Sequence, residues 1–336
     1  MTLRDEILEQ PEVAARLLDV EGENVARIRA AVASRDPAFM LIAARGSSDH
    51  AAIYAQYLFG VTARLPVALA TPSLVSLYGV EPRVERAIVI GISQSGVSPD
   101  VVGVITSARR QGALTIAITN EPGSALAAAA EHTIDLRAGD ERSIAATKTY
   151  IAQLVALAML AGVDGLDAVP AALSEALESE ADARAAAVEF AGVQTCTVLG
   201  RGFGYATARE WALKLKELAY VVADPYSADD FRHGPLALIE PDAPVLMVAP
   251  SGAALADLTE LARRLRDELG AELVVLSDSP DARSLGERSL AMPPVLEVLS
   301  PIVSIVPAQL FALHLAMAKG LDPERPRNLT KVTATH

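Results

Sequence analysis

The chain of 336 residues is 51% hydrophobic and carries a formal charge of −13. That apolar content fills one large or two medium cores, and an acidic chain without a Lys/Arg-rich run excludes a nucleic-acid surface and an anionic membrane as partners. The single cysteine, Cys196, excludes an intrachain disulfide framework and a multi-cysteine metal site, and fits a reducing compartment.

The N-terminus, MTLRDEILEQPEVAARLL, mixes charges at helical spacing and does not resemble a secretory signal, so residues 3–34 are expected to form a helical extension. FMLIAARGSSDHAAIYAQYLF follows as strand, Gly-Ser turn and helix. Ala87 to Ile92 is then a nearly continuous β-branched run, the pattern of a strand covered on both faces of a parallel sheet. Ser98, Pro99 and Asp100 suit the N-cap and first turn of a helix that Arg109, Arg110 and Gly112 close. LTIAIT is a further strand, and an Ala-rich helical stretch from Thr147 to about Ala186 is expected to link two lobes.

The second half repeats the plan. CTVLGRGFGYATAREWALKLKEL is again strand, glycine turn and helix, and APVLMVAPSGAALADLTELARRLRDELGAELVVLSD gives strand, Ser-Gly turn, helix and strand. Strands alternating with amphipathic helices call for doubly wound parallel sheets with ligands at the carboxyl ends of the strands. The expected fold is therefore α/β with two tandem doubly wound, flavodoxin-like domains over residues 35–165 and 166–320, after the extension at 1–34 and before a tail at 321–336. No uninterrupted apolar run of about 18 residues is apparent, so a cytoplasmic chain is expected. Cys196 lies in a strand-like run and reads as a small core residue.

Between the third strand pattern and its helix lie Ser93, Gln94, Ser95 and Gly96, whose hydroxyls and backbone N–H groups can converge on a tetrahedral anion at a helix N-terminus. The loop has no Lys and no GK[ST] ending, so a phosphate monoester fits it better than a triphosphate with magnesium. An ordinary polar loop has the same composition. Pro250, Ser251 and Gly252 stand at the corresponding place in the second copy, which has lost most of this equipment. Lys214 and Glu217, three residues apart on one helical face, suit either a polar site near the carboxyl edge of the sheet or a solvated ion pair. His233 precedes a Gly-Pro turn that would fix its direction. HExxH and Gly-x-Ser-x-Gly patterns are absent, so neither a zinc site nor a serine-hydrolase elbow is expected.

Six blocks, RGSSDHA, SQSG, GDERSIAATK, ALKLKE, RHGPLALIE and RPRNLTKVT, together resemble the two sugar-isomerase (SIS) domains of the isomerase half of glucosamine 6-phosphate synthase, in matching order across nearly the whole chain. The resemblance implies phosphate and sugar contacts at Ser47, Ser48, Ser93, Gln94, Ser95 and Ser98, with Thr147 nearby. It implies that Glu217 is the base moving a proton between C1 and C2, with Lys214 beside it. His233 would assist ring opening from the partner subunit of a homodimer, and Lys331 would form a Schiff base with the open-chain ketose beneath a tail that acts as a lid. No cofactor or metal is implied.

The sequence lacks the synthase's glutaminase domain, so it is expected not to draw ammonia from glutamine by itself. It is similar to the SIS-type glucosamine 6-phosphate deaminases, which implies conversion of glucosamine 6-phosphate and water to fructose 6-phosphate and ammonia. Val97, Ala146 and Asp49 depart from the family pattern and motivate the alternative of another phosphosugar, such as galactosamine 6-phosphate or a glycated amino-acid phosphate. A non-catalytic phosphosugar-binding regulator has no use for Glu217, His233 and Lys331 together.

Overall fold

A computed structural model of the chain describes residues 2–331. Thr2 starts α1 (Leu3–Leu8) with a reciprocal cap, its side chain accepting from the Asp5 N–H while the Asp5 carboxylate accepts from the Thr2 N–H. There follow α2 (Gln10–Ser34), β1 (Phe39–Ala43), α3 (Ser47–Ala63), β2 (Val67–Leu69), α4 (Ser73–Ser76), β3 (Ala87–Ile92), α5 (Pro99–Arg110), β4 (Leu114–Thr119), α6 (Ala125–Ala129), β5 (His132–Asp135) and α7 (Lys148–Ala161). The rest of the chain forms α8 (Val169–Leu177), α9 (Glu180–Glu189), β6 (Thr195–Gly200), α10 (Phe203–Ala219), β7 (Val222–Ser227), α11 (Ala228–Arg232), β8 (Pro244–Val248), α12 (Leu255–Arg263), β9 (Glu272–Ser277), α13 (Pro280–Arg283), β10 (Arg288–Ala291) and α14 (Ser300–Ala318).

Two compact units result. The first-sheet unit comprises residues 12–141, 148–167 and 330–331; the second-sheet unit comprises residues 2–11, 142–147 and 168–329. All pairings are parallel, in the orders β2-β1-β3-β4-β5 and β10-β9-β8-β6-β7. Reversed, the second order is the first one again, with β6 in the place of β1. In each sheet the direction of winding reverses between two neighbouring strands, β1 and β3 or β6 and β8, and ligands of such folds bind in the crevice beyond the carboxyl ends of that pair.

The central strands β3 and β4 are buried at every residue, as strands covered on both faces of a parallel sheet are. The duplication extends to backbone detail. Gly46 caps α3 at φ 56°, ψ −132° and Gly202 caps α10 at φ 57°, ψ −129°; both helices run for 17 residues and end on a left-handed residue, Arg64 and Tyr220.

Two expectations need correction. Residues 147–186 are no simple linker: α7 is buried almost throughout and packs on α3 in the first-sheet unit, while α8 and α9 pack on α14 in the second. A long apolar helix does exist, because α14 with the turn before it is apolar and long enough to cross a bilayer, Ser, Pro, Gln and His having masked it in the sequence. It is instead the core helix of the second-sheet unit, with 94% of its most apolar window buried. Phe311 meets the fully buried Trp211 of α10 edge to face at 5.4 Å, and Ser304 bonds Thr207 at 2.8 Å. Truncating either ring costs about 3–5 kcal/mol.

Candidate active site

The SQSG loop leaves the carboxyl end of β3 and is fixed by its own backbone. Gly96 N–H donates to the Ser93 hydroxyl at 3.2 Å, the Gln94 carbonyl accepts from the Asn120 N–H at 3.1 Å, and the Gly96 carbonyl accepts from the Leu126 N–H at 2.9 Å. Gly96 sits at φ +63°, where a Cβ would strike the Ser124 hydroxyl. The N–H groups of Gln94, Ser95, Val97 and Ser98 donate to no protein acceptor among the described residues. Ser98 occupies the N-cap of α5 without spending its hydroxyl on the helix. These donors lie in the loop that leads into the N-terminus of α5, where its partial positive charge emerges, a setting that suits a tetrahedral anion.

The second helix at this edge, α3, brings Ser47 and Ser48 in its first turn. Ser48 is nearly buried, and its hydroxyl accepts from Gln153 of α7 at 3.0 Å, which orients it. Asp49 follows in the same turn. Asp100, read from the sequence as a complement to the helix dipole, is 1% exposed and accepts from the Val101 N–H at 2.9 Å. Its charge is held by Arg45, whose Nε and Nη2 each lie 2.7 Å from Oδ2. Sequence reasoning passed over this arginine. Its signal was the Arg-Gly pair that opens the turn in both copies, at residues 45–46 and 201–202.

The second copy shows what the same edge does when it serves itself. The Ser251 N–H donates to Asp278 at 2.7 Å and the Ala253 N–H to Glu297 at 3.0 Å, so carboxylates of the chain occupy the loop donors. Arg201 pairs with Asp257 at 2.6 Å and Asp229 at 2.7 Å, and Arg232 pairs with both as well. Burial acts to raise the Asp257 pKa, but the two guanidinium groups outweigh it and hold this carboxyl below its ordinary range.

Lys214 and Glu217 lie elsewhere than expected. A helix that follows a parallel strand runs back along it, and Lys214 is eleven residues beyond the start of α10, roughly 16 Å toward the amino edge of the sheet. Nor is the pair solvated. Lys214 is 1% exposed and bonds Glu217 at 2.6 Å and the fully buried Glu210 at 3.2 Å. Burial alone would lower the ammonium pKa, but the charges of Glu210 and Glu217 outweigh it and hold Lys214 above the ordinary lysine range. Lys214 is therefore a fixed cation and no proton acceptor at neutral pH. Glu217, with 22% of its side chain exposed, is the member of the trio that solvent or a ligand can reach. Glu210 was legible as the i−4 neighbour of Lys214, yet nothing in the pattern marked it as buried.

The described part of the tail runs to Lys331. Its Arg327 N–H donates to the Tyr220 hydroxyl at 2.8 Å and its guanidinium lies 3.9 Å over the Tyr220 ring, directly after α10. In the first-sheet unit Lys331 Nζ donates at 2.7 Å to Glu141, a carboxylate with no exposed surface that also accepts from the Thr149 N–H and hydroxyl at 3.1 and 2.8 Å. Residues 332–336 of the expected lid lie outside the described residues. His233 is exposed at the end of α11, and Gly234 after it takes φ +151° to start the next turn. Thr147 is buried in the second-sheet unit. Cys196 is buried with its thiol pushed up to about 12 by burial, as a core residue would be. No cluster of three or more His, Cys, Asp or Glu side chains suited to a metal occurs among the described residues.

The profile of the SIS domain matches residues 36–162 and 189–319. A curated relative, glutamine–fructose-6-phosphate aminotransferase (isomerizing) of Gloeobacter violaceus, is 37% identical over 97% of this chain and 57% of its own length, so the chain spans about half the length of such relatives. Among solved structures, a protein provisionally described as a phosphosugar isomerase from Silicibacter pomeroyi DSS-3 is 36% identical with a TM-score of 0.84, over 96% of this chain and 100% of that one. Glucosamine-6-phosphate deaminase of Thermotoga maritima shares the fold, with a TM-score of 0.80 at 21% identity over the whole of both chains.

Proposed function

Because the chain belongs to the SIS domain family, we propose that it is a phosphosugar isomerase that binds its substrate's phosphate in the SQSG loop and transfers a proton between C1 and C2 through Glu217. The observation that carries this reading is the Glu210–Lys214–Glu217 trio. The buried ammonium, 2.6 Å from Glu217, aims that carboxylate, while its exposed part is left for a substrate carbon acid.

The finer reading is deamination of glucosamine 6-phosphate. His233 assists opening of the ring, exposing the C1 aldehyde. Glu217 takes the C2 proton and returns it to C1 while a proton passes from the amine to O1, which leaves a hydroxymethyl group at C1 and an imine at C2. Water adds to that imine and ammonia departs, giving fructose 6-phosphate. Lys331, once released from Glu141, is the amine able to capture a ketose carbonyl as a Schiff base. Purified protein is expected to release ammonia from glucosamine 6-phosphate, and Glu217→Gln to reduce the rate at least a thousandfold. Equal rates in the two proteins would sink the reading.

Asp49 favours a second substrate within the same chemistry. A carboxylate in the first turn of α3, beside Ser47 and Ser48, is a hydrogen-bond acceptor next to the phosphate-binding serines. It suits a substrate with an extra donor, such as galactosamine 6-phosphate or a glycated amino-acid phosphate. Ammonia or isomer formation across such a panel decides between them. The exposure of His233 supports its service in a partner's site within a homodimer. Mixing Glu217→Gln with His233→Ala protomers is then expected to restore about a quarter of the native rate, since one site in four would combine two intact halves. No recovery would exclude the shared site.

A further inference from the structure

We infer that Arg45 is a further phosphate ligand, clamped by Asp100, and that it selects phosphorylated sugars over neutral ones; this rests on the SQSG loop being the phosphate site.

The comparison between the two copies carries the inference. Arg45 and Arg201 occupy the same place, each directly before a glycine with the same unusual backbone angles. Each pairs with a carboxylate in the first turn of the helix that follows the neighbouring strand, Asp100 in α5 and Asp257 in α12. The difference lies in the second arm of the guanidinium. In the second copy Arg201 spends it on Asp229 at 2.7 Å. In the first copy Arg45 uses only Nε and Nη2, both on Asp100 Oδ2, and Nη1 meets no protein acceptor among the described residues.

The adjacent loops differ in the same sense. Asp278 and Glu297 accept from the loop N–H groups of the second copy, whereas those of Gln94, Ser95, Val97 and Ser98 meet no protein acceptor among the described residues. The second copy has therefore built the anion into its own chain, with three carboxylates standing where the first copy offers donors. Asp229 occupies on Arg201 the place that a phosphate oxygen would take on Arg45.

Charge supports the same assignment. Asp100 is a buried carboxylate at the mouth of an otherwise neutral, hydroxyl-lined loop, and alone it would repel a dianion. Arg45 cancels that charge and, because its side chain is 46% exposed, still presents a donor edge outward. Asp100 fixes the plane of the guanidinium, so the fork is preorganised for a planar, two-point contact that a lysine cannot copy.

Titration of wild type, Arg45→Met, Arg45→Lys, the double variant Arg45→Met/Asp100→Asn and Ser95→Ala with inorganic phosphate tests this, calorimetry giving affinity and steady-state kinetics giving kcat and KM. The double variant removes the buried carboxylate with its partner and so guards against simple loss of folding. Arg45→Met and the double variant are expected to weaken phosphate at least tenfold and to raise the KM for the phosphosugar by a similar factor, with kcat within about threefold. Arg45→Lys is expected to recover only part of the loss. Wild-type phosphate affinity in a folded double variant, with Ser95→Ala weakened, would overturn the assignment of Arg45 and leave the loop as the phosphate site. No competition between phosphate and substrate in the wild type, or no effect of Ser95→Ala, would overturn the loop reading and the role of Arg45 together.

Discussion

Glu141, fully buried, accepts Lys331 Nζ at 2.7 Å and so ties the tail to the start of α7 through the two Thr149 donors. A charge-assisted hydrogen bond of this kind contributes about 1.5–3 kcal/mol. The same contact sets a chemical condition, since an ammonium held by a carboxylate is no nucleophile until it leaves and loses a proton. Glu141→Gln is therefore expected to increase cleavage of the tail in limited proteolysis roughly tenfold or more, as the open form gains population. Borohydride reduction in the presence of fructose 6-phosphate is expected to label Lys331 in the wild type and nothing in Lys331→Ala. Unchanged proteolysis would show that the pair does not hold the tail.

The Lys214 trio predicts an asymmetry between single and double variants. Lys214→Met strands two carboxylates, one fully buried, and is expected to cost about 3–5 kcal/mol in denaturant unfolding. Adding Glu210→Gln should recover much of that stability but not the activity, because Glu217 still lacks its cation. The pH dependence follows from the raised pKa of Lys214. A lysine whose folded pKa is raised stabilises fully below its unfolded value, ordinarily 10.5, and the contribution disappears as pH rises through the folded value. The stability difference between wild type and Lys214→Met should thus stay level from about pH 6 to 9 and shrink only in strong alkali. A difference that shrinks near neutrality would place the lysine's titration there and remove it as a fixed cation.

The parts of this molecule that were legible in the sequence are those where one local signal dominates. Ala87–Ile92 reads as a buried strand because its run is apolar throughout, Leu114–Thr119 reads as a further strand through its β-branched residues, and α5 reads correctly because Ser98, Pro99 and Asp100 agree on where it starts. The edge strands leave a weaker signal: β2, β5 and β10 are short and partly exposed, and β7 is interrupted by Pro225, which an edge tolerates. Ser93, Ser95 and Ser98 stand out through the turn between strand and helix, and Ser47 and Ser48 through the family resemblance. Arg45, Glu141, Gln153 and Glu210 do not, because each matters through a partner distant in sequence or through burial, and neither leaves a periodic trace. Lys214 was misplaced along its sheet for a simpler reason, that the length of α10 carries it away from the edge where the helix begins.

The Arg201–Asp257–Arg232–Asp229 network gives the opposite pH behaviour. Asp257 has a folded pKa below its unfolded value, so its contribution is complete above the ordinary 3.8 and is lost as pH falls through the depressed value. Asp257→Asn should accordingly lower the thermal midpoint at pH 7 and have a diminishing effect as the medium approaches pH 3. If the effect were equal at both pH values, the loss would come from packing and not from charge.

Gly96 and Gly46 separate strain from crowding. Both hold positive φ, at 63° and 56°, but a Cβ on Gly46 meets nothing within 4 Å, whereas one on Gly96 would come within 2.1 Å of the Ser124 hydroxyl and 3.0 Å of that of Thr119. Ser124 caps α6 by accepting from the Ala127 N–H, so it cannot move without releasing that helix. Gly46→Ala bears backbone strain alone, about 1–3 kcal/mol, since its ψ of −132° lies outside the left-handed well open to other residues. Gly96→Ala adds the clash to a milder strain and displaces the loop proposed to hold the phosphate. The expected outcome is a loss of phosphate binding in Gly96→Ala that exceeds its loss of stability. In Gly46→Ala the two should fall together, because the strain is shared by the β1–α3 turn and the first turn of α3. Calorimetric phosphate titration beside thermal unfolding distinguishes these cases, and a Gly96→Ala protein that binds phosphate as tightly as wild type would refute the rigid-loop account of the site.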